Sequence, residues 1–193
     1  MSEFTFEDIY RKIIGRLEQE LPEELAYHNV YHTKYVVEKA KLLAGYENIT
    51  GKELELIKIA ALYHDTGFLI DHKEHENLGC QIAFRDLQDL LTTGDLENIC
   101  GMITATKIPQ KPRNIQEKIV ADADLFYLGT TNYRQFSKKL YLELKHFDSS
   151  INDEKWLQIQ TNFLSSHCYH TNYARETLEP VKQKNLNAVI AEG

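Results

Sequence analysis

The sequence predicts an all-α fold, and three observations support this prediction. Apolar residues recur every three or four positions through successive segments, which is the spacing of one face of a helix. Almost no segment alternates between apolar and polar residues with a period of two, the pattern of a half-buried strand. The 193 residues contain no internal repeat, low-complexity tract or linker rich in Pro, Gly and Ser. We therefore expect a single domain over residues 1–193.

The first three helices are predicted from their caps and apolar stripes. The first should begin near Thr5, whose hydroxyl can cap the amide of Asp8, and should end at Pro22. The second places His32 at the N-terminal end of its stripe, and the third carries His64 at its C-terminal end. The predicted buried stripes are Ile9, Ile13 and Leu17, then Val36, Ala40 and Leu43, then Leu54, Ile57 and Ala61.

The remaining helices are separated by polar and proline-containing segments. A polar stretch, Asp71 to Asn77, should lead into a fourth helix, and Thr93 to Asp95 should form a turn and cap before a fifth. Pro109 and Pro112 bracket a loop before a sixth helix, and the last helix should bend near Pro180. The predicted core of these segments comprises Leu78, Ile82, Leu87, Leu96, Ile99, Ile103, Ile115, Ile119, Val120, Phe136, Leu140, Phe147, Trp156 and Phe163.

Composition limits the class of protein. A formal net charge of -7 argues against nucleic acid as the main partner. Three cysteines without paired spacing indicate free thiols in a reducing compartment. The N-terminus carries acidic residues where a signal peptide would carry basic ones, and no stretch approaches the roughly 18 apolar residues that span a bilayer. We therefore expect a cytoplasmic protein with no membrane association.

Residues with metal-ligand chemistry stand at the ends of three apolar helical segments. His32 begins one apolar stripe, and the pair His64-Asp65 stands where another breaks into Thr66-Gly67. Asp122 and Asp124 follow a third. Isolated ionised carboxylates are costly to bury, whereas paired or metal-bound carboxylates are tolerated. A divalent metal is therefore the simplest chemical reason for bringing these imidazoles and carboxylates together.

The segments that hold these residues resemble the HD domain superfamily of metal-dependent phosphohydrolases. They are His32 to Val36, His64 to Gly67 and Asp122 to Leu125, in the order of the superfamily's H…HD…D motif. A lone His-Asp pair would carry almost no information, but the ordered set is specific. The resemblance implies an all-α, single-domain helical bundle of the HD type. Its metal-binding core would span about residues 25–130, and C-terminal helices over about residues 132–191 would complete the bundle.

The resemblance also implies a ligand set for one divalent metal ion, consisting of His32, His64, Asp65 and Asp124. Asp124 is preferred to Asp122 because a leucine follows it directly, as in the superfamily's motif. Asp122 would then accept a hydrogen bond from a ligand histidine or a metal-bound water. Mixed imidazole and carboxylate ligands suit Mn²⁺, Fe²⁺, Co²⁺, Ni²⁺ or Zn²⁺, and suit Mg²⁺ less well.

Three residues near the motif are candidates for catalysis. Asp65 could orient the attacking water, and His75-Glu76 is similar to a His-Glu pair that follows the motif in nucleotide-hydrolysing members. The histidine of that pair contacts substrate phosphate or acts as a general acid, for which imidazole has a suitable pKa. His72, three residues earlier, could contact the substrate instead.

Three basic residues, Lys107, Lys111 and Arg113, lie in the loop before the helix that carries the last ligand. They could neutralise substrate phosphate or form a solvated loop. The implied function is hydrolysis of a phosphoester or phosphoanhydride in a nucleotide-like small molecule, through a metal-activated water. A cyclic-nucleotide phosphodiesterase and a non-catalytic, metal-stabilised regulatory or binding module stay open as alternatives. A homodimer is compatible with the sequence.

Other histidines are predicted to have supporting roles. His28, four residues before His32, should cap the helix or support a ligand. The segment from His167 to His170 lacks a partner pair at zinc-finger spacing, which argues against a zinc site there. The resemblance also implies that Tyr169 and Thr171 line the substrate pocket.

Overall fold

The structure, a computed structural model, describes residues 5–192, which form nine α-helices and no strand. In order, the helices are α1 (Phe6–Glu20), α2 (Val30–Tyr46), α3 (Gly51–Tyr63), α4 (His75–Leu87), α5 (Thr93–Thr104), α6 (Ile115–Asp124), α7 (Tyr133–Phe147), α8 (Asp153–Ser166) and α9 (Glu179–Ile190). Short 3-10 turns follow α3 and α6 at Thr66–Leu69 and Phe126–Gly129, and a π-helical turn, Ala174–Leu178, precedes α9. The predicted all-α class is confirmed.

Helix α3 lies at the centre of the bundle, because α1, α2, α5 and α6 all pack against it. A helix enclosed by neighbours needs no polar face, and α3 is buried almost continuously over its second half. Helix α2 also packs against α6. The C-terminal end of α3 therefore lies deep in the molecule, beside two other helices that carry predicted ligands.

The C-terminal helices build a second wall beside this core. Helix α8 packs against α9, and both α7 and α9 pack against the 3-10 turn after α6. Pro180 lies in the first turn of α9, and the π-helical turn directly before it is the irregularity expected at that proline. No helix of residues 5–192 is both long enough and apolar enough to cross a bilayer.

The helix starts differ from prediction in detail. Residues 93–95 form the first turn of α5 rather than a turn before it, and the cap is Thr92, whose hydroxyl accepts the amide of Asp95 at 3.2 Å. At α1, the Asp8 carboxylate accepts from the amide of Thr5 at 3.2 Å and from its hydroxyl at 2.7 Å. The side chain of Asp8 thus contributes to a cap that was expected from Thr5 alone.

The predicted aromatic core of α7 and α8 is less buried than expected. Phe147 is 44% exposed, and Phe136, Trp156 and Phe163 are only partly buried. Trp156 and Phe163 line the wall of a cavity, so their rings are not fully covered by protein. Phe147 is the last residue of α7, where its ring stacks on the exposed ring of His72. Among the predicted core aliphatics, Ile115 is exposed and the partly buried ones are Leu54, Leu78 and Leu140.

Candidate metal centre

Three helix ends meet at the centre of the bundle, and each carries one or two of the predicted ligands. Asn29 caps α2 by accepting the amide of His32 at 3.4 Å, so that His32 lies in the first turn. His64 and Asp65 directly follow the last turn of α3, and Asp124 is the last residue of α6. Neighbouring residues of a helix point about 100° apart. The end of α3 gives His64 and Asp65 the backbone freedom to face one point.

The ligand atoms of these side chains lie close together. His32 Nε2 is 3.0 Å from Asp124 Oδ1, 3.3 Å from Asp65 Oδ2 and 3.3 Å from His64 Nε2. His64 Nε2 is 3.1 Å from Asp65 Oδ2 and 3.6 Å from Asp124 Oδ1. Two ligands that bind one ion at about 2.1 Å and at right angles lie ~3.0 Å apart. The ligand atoms of His32, His64 and Asp124 all lie within 4.8 Å of one another, as the ligands of a common divalent ion do, and Asp65 Oδ2 lies beside both imidazole nitrogens.

Hydrogen bonding leaves these atoms available to a cation. His64 Nδ1 donates to the carbonyl of Ala61 at 2.8 Å, so its Nε2 carries a lone pair that faces His32. Asp65 Oδ2 is buried without a hydrogen-bond donor, although a buried carboxylate oxygen ordinarily requires a partner. A divalent ion between these atoms would give the Asp65 oxygen a partner and would accept the lone pairs of the two facing histidine nitrogens. The residues present therefore fit a metal ion.

The electrostatics at this point favour positive charge. Burial would raise the pKa of Asp65, but the charge of a protonated His64 lowers that pKa well below its ordinary value. Burial would lower the pKa of His64, but the charges of Asp65 and Asp124 raise it well above its ordinary value. The two carboxylates thus stabilise a cation, which can be a proton on His64 or a metal ion.

The start of α4 brings the predicted catalytic pair to the same place. His75 Nε2 is 3.8 Å from Asp65 Oδ1 and 3.5 Å from Glu76 Oε1, and these three side chains line one cavity. This approach depends on Gly67, because a Cβ at that position would lie 1.9 Å from the carbonyl oxygen of His75. The glycine after the His-Asp pair lets α4 begin directly against the turn.

A second histidine–carboxylate pair was not predicted. Glu143 of α7 is buried, and its Oε2 accepts the amides of Tyr27 and His28 at 2.8 and 2.9 Å. Its Oε1 makes a short hydrogen bond with His28 Nδ1, and the His28 ring lines the cavity and stacks on Phe68 with centroids 4.4 Å apart. Burial would lower the pKa of His28, but Glu143 and the ligand carboxylates raise it. The pair is a candidate proton donor beside the centre.

Two of the predicted substrate-binding residues lie outside the cavity or at its rim. His72 is exposed, and its ring stacks on Phe147 with centroids 4.5 Å apart. Lys107 lines a neighbouring groove, and it reaches the rim of the cavity, where its Nζ is 4.0 Å from Glu76 Oε2. Of the two, Lys107 is the residue within reach of the cavity mouth.

Lys111 and Arg113 are not brought to the cavity. They line a separate groove, where Arg113 forms an ion pair with Glu117 at 3.0 Å. The physical reason is the direction of α6: these residues precede its first turn, whereas Asp124 ends it, ~14 Å further along the axis.

Asp122 holds the C-terminal part of the chain. It is fully buried, and its oxygens accept the amide of His170 at 3.0 Å and the amide and hydroxyl of Thr171 at 2.8 and 2.7 Å. Its hydrogen bonds go to this segment rather than to a ligand histidine. Tyr169 donates its hydroxyl to the carbonyl of Leu125 at 3.2 Å. Thr171 and Tyr169 thus support α6 and do not line the cavity as expected.

The cavity has a volume of ≈ 260 Å³ and two chemically different ends. Asp65, Asp124, His75 and Glu76 form a polar end at the candidate metal centre. Most of the remaining wall comes from α7, α8 and the 3-10 turn after α6, and it is largely apolar. A small molecule in this cavity could therefore present a charged group to the centre and an apolar group to the C-terminal helices.

Comparison with known proteins identifies one family. The model of the HD domain matches residues 29–127, a segment that contains His32, His64, Asp65 and Asp124. The fold is similar to the crystal structure, at 1.45 Å resolution, of a predicted HD superfamily hydrolase from an uncultured Thermotogales bacterium. That similarity has a TM-score of 0.59 and 19% sequence identity and covers 94% of this chain and 90% of that chain. No curated protein matches the sequence.

Proposed function

The chain belongs to the HD-domain family, and on this basis we propose that it is a metal-dependent phosphohydrolase. The proposed reaction is hydrolysis of a phosphoester or phosphoanhydride bond in a nucleotide-like small molecule. The observation that carries this proposal is the convergence of two imidazole nitrogens and two carboxylate oxygens at the polar end of a cavity. Without a cavity beside it, a metal ion at this point could have only a structural role.

The proposed metal ligands are His32, His64, Asp65 and Asp124. Mixed imidazole and carboxylate donors favour a transition-metal dication over Mg²⁺. Such an ion, when bound, polarises a phosphoryl oxygen and lowers the pKa of coordinated water toward neutrality. Four protein side chains do not fill a six-coordinate site, so the protein leaves positions for substrate and water.

His28 is the proposed proton donor to the leaving group. Glu143 holds its Nδ1, which leaves Nε2 as the ring nitrogen for a molecule in the cavity. The raised pKa of His28 increases its protonated fraction near neutral pH, as a general acid requires. In the proposed step, water oxygen bonds to phosphorus, the bond from phosphorus to the leaving oxygen breaks, and that oxygen takes the proton from His28. The attacking water gives up one proton to solvent, and His28 regains one from solvent before the next turnover.

His75 and Glu76 are proposed to contact the phosphoryl group and the attacking water. His75 Nε2 lies 3.8 Å from Asp65 Oδ1, close enough for both to hydrogen-bond one small group. Lys107, at the cavity rim, is proposed to contact the substrate phosphate. His28 and His75 thus have different proposed roles. Substrates with different leaving groups can distinguish them, because only the role of His28 depends on the leaving group.

The test is phosphate release by chelator-treated protein, with and without added Mn²⁺, from aryl and alkyl phosphates, nucleotides and cyclic nucleotides. We expect release that depends on the metal. A His28→Asn variant should lose about 10²–10⁴-fold in kcat on an alkyl ester and much less on p-nitrophenyl phosphate, whose leaving group needs no proton. The exposed His146 supplies the matched control, His146→Asn. Phosphate release that survives chelation would reject the role of the metal. Equal losses in kcat on both esters would reject the role of His28 as proton donor.

A further inference from the structure

The cavity continues from the candidate metal centre along an arm that is apolar. Leu140 and Leu144 of α7 and Trp156, Ile159 and Phe163 of α8 line this arm. These side chains are only partly covered by the protein itself. Apolar surface that a fold leaves open inside a cavity is typical of a site that buries an apolar part of a ligand.

The two hydroxyl groups in this part of the wall are already hydrogen-bonded within the protein. The hydroxyls of Tyr133 and Ser137 donate to the same oxygen, Gln160 Oε1, at 2.8 and 2.5 Å. Hydroxyl groups that are already bonded to protein offer little compensation to a charged group of a ligand. The arm therefore behaves as an apolar surface despite its two hydroxyls.

Positive charge is missing from the arm. Of residues 5–192, no lysine or arginine lines the cavity. Lys107 stays at the rim, and Lys111 and Arg113 line the separate groove, where Glu117 already pairs with Arg113. A second or third phosphate would bring further negative charge against leucine and aromatic side chains without a counter-ion, which is costly.

We propose that the substrate is a phosphomonoester with an apolar organic group, such as an alkyl or aryl chain. This inference rests on the proposed function. The phosphate would lie at the metal centre, and the organic group would lie between α7 and α8. Water adds to phosphorus, the ester bond from phosphorus to oxygen breaks, and the products are inorganic phosphate and the alcohol, which keeps the ester oxygen and gains a proton.

The kinetic test compares ethyl, butyl and hexyl phosphate with nucleoside mono- and triphosphates, all with Mn²⁺-loaded protein. Burying a methylene gains ~0.8 kcal/mol, which converts to roughly fourfold in kcat/KM for each added methylene. We therefore expect kcat/KM to rise steeply with chain length and triphosphates to be poor substrates. Equal kcat/KM along the alkyl series, or a preference for triphosphates, would overturn the inference.

A binding test separates this inference from the proposed function. Trp156 is the one tryptophan of the chain and lines the arm, so its fluorescence reports a ligand there without turnover. Alkylphosphonates, which cannot be hydrolysed at an ester bond, should quench or shift this fluorescence with an affinity that rises with chain length. Chain-length-dependent binding without hydrolysis of any ester would support the apolar site and reject the phosphohydrolase. Turnover without chain-length dependence would do the reverse.

A matched pair of variants locates the effect on α7. Leu144 lines the arm, whereas Leu142, two positions earlier, is 52% exposed. We expect Leu144→Asp to abolish the dependence of kcat/KM and of phosphonate affinity on chain length, and Leu142→Asp to preserve it. If Leu144→Asp does not fold, Leu144→Ala should reduce the dependence. Unchanged dependence in a folded Leu144 variant would contradict the proposed position of the organic group.

Discussion

Buried carboxylates in this protein join parts of the chain that are far apart in sequence. Glu143 on α7 accepts hydrogen bonds from the backbone amides of residues 27 and 28 and pairs with the ring of His28. Asp122 on α6 accepts three hydrogen bonds from residues 170 and 171. Each carboxylate is almost completely buried, so each needs these partners to remain ionised. The fold and the site therefore depend on the same few charged groups.

The Glu143→Gln variant tests the pairing with His28. Glutamine keeps an oxygen that can accept the backbone amides but removes the charge that helps to raise the pKa of His28. That pKa should fall, so the rate on an alkyl phosphate should begin to decline at lower pH than in the wild type. We expect a loss of about tenfold near neutral pH with unchanged metal content. The measurement is the pH–rate profile.

The control for this variant is Glu154→Gln, since Glu154 is exposed in the first turn of α8. It should leave the profile unchanged. A Glu143→Gln profile that coincides with the wild-type profile would contradict the assignment of His28 as proton donor.

Some site residues could be predicted from the sequence alone and others could not. His32, His64, Asp65 and Asp124 could be grouped from sequence because each stands at the end of an apolar stripe in a known order. Glu143 could not, because its partners lie 115 and 116 residues away and nothing local distinguishes it from other acids on an amphipathic helix. The partner of such a residue is set by how helices pack, which local periodicity does not report.

Among the elements, the junction between the turn after α3 and the start of α4 is the tightest. A Cβ at Gly67 would lie 1.9 Å from a backbone oxygen and 2.6 Å from two backbone carbons of His75. Gly67→Ala should therefore force α4 away from the turn, lower the free energy of unfolding by more than about 2 kcal/mol and reduce turnover through displacement of His75. Urea unfolding and phosphate release measure the two effects.

Gly94→Ala is the matched control, because a Cβ at Gly94 meets nothing within 4 Å. Gly94 lies in the first turn of α5, where alanine should be neutral or slightly stabilising. Equal stability of the Gly67→Ala and Gly94→Ala variants would show that the close approach to α4 has no energetic consequence.

The packing of the last helices predicts a pH-dependent stability. Burial, and then the charge of Lys182, lower the pKa of His167 to about 3. In the unfolded chain a histidine binds a proton below about pH 6.5, so between these values only the unfolded state is protonated and folding is disfavoured. This contribution to stability is present near neutral pH and is lost as the pH falls. It should amount to as much as about 2 kcal/mol between about pH 7.5 and pH 5.

Asp122 contributes with the opposite sign in an overlapping range, because burial raises its pKa to about 6 in the folded protein. The measurement therefore compares the wild type with His167→Gln by urea unfolding at both pH values, so that the effect of Asp122 cancels. The wild type should lose more stability than the variant on acidification. Equal losses would mean that His167 is not held neutral by Lys182 and burial.

The helix ends agree with the sequence prediction where a nearby cap or proline sets them, as at Pro22 and at the turn after α3. The burial of the α8 aromatic residues was not predicted correctly, because a helix face that lines a cavity has the same periodicity as a face that packs in a core. Trp156 and Phe163 were therefore expected in the core and instead line the apolar arm. Only the relative positions of the two helices distinguish these cases.

For the whole molecule, the candidate metal centre links the three helices α2, α3 and α6 around one point. An ion that binds this arrangement and not the unfolded chain must also stabilise the fold, by about 4 kcal/mol at a thousandfold excess over Kd. The family match and the ordered motif could be anticipated from sequence, whereas the identity of the substrate depends on the arm that the C-terminal helices build.

Calorimetric titration of the chelator-treated protein with Mn²⁺, for the wild type and for His64→Ala, tests the candidate metal centre most directly. His64 Nε2 contacts both ligand carboxylates and His32, so its loss should abolish the site while circular dichroism keeps its helical signal. We predict one ion for each wild-type chain and no binding at the same concentrations in the variant. A wild-type chain that binds no divalent ion, or a variant that binds it equally well, would contradict the assignment of these residues as a metal centre.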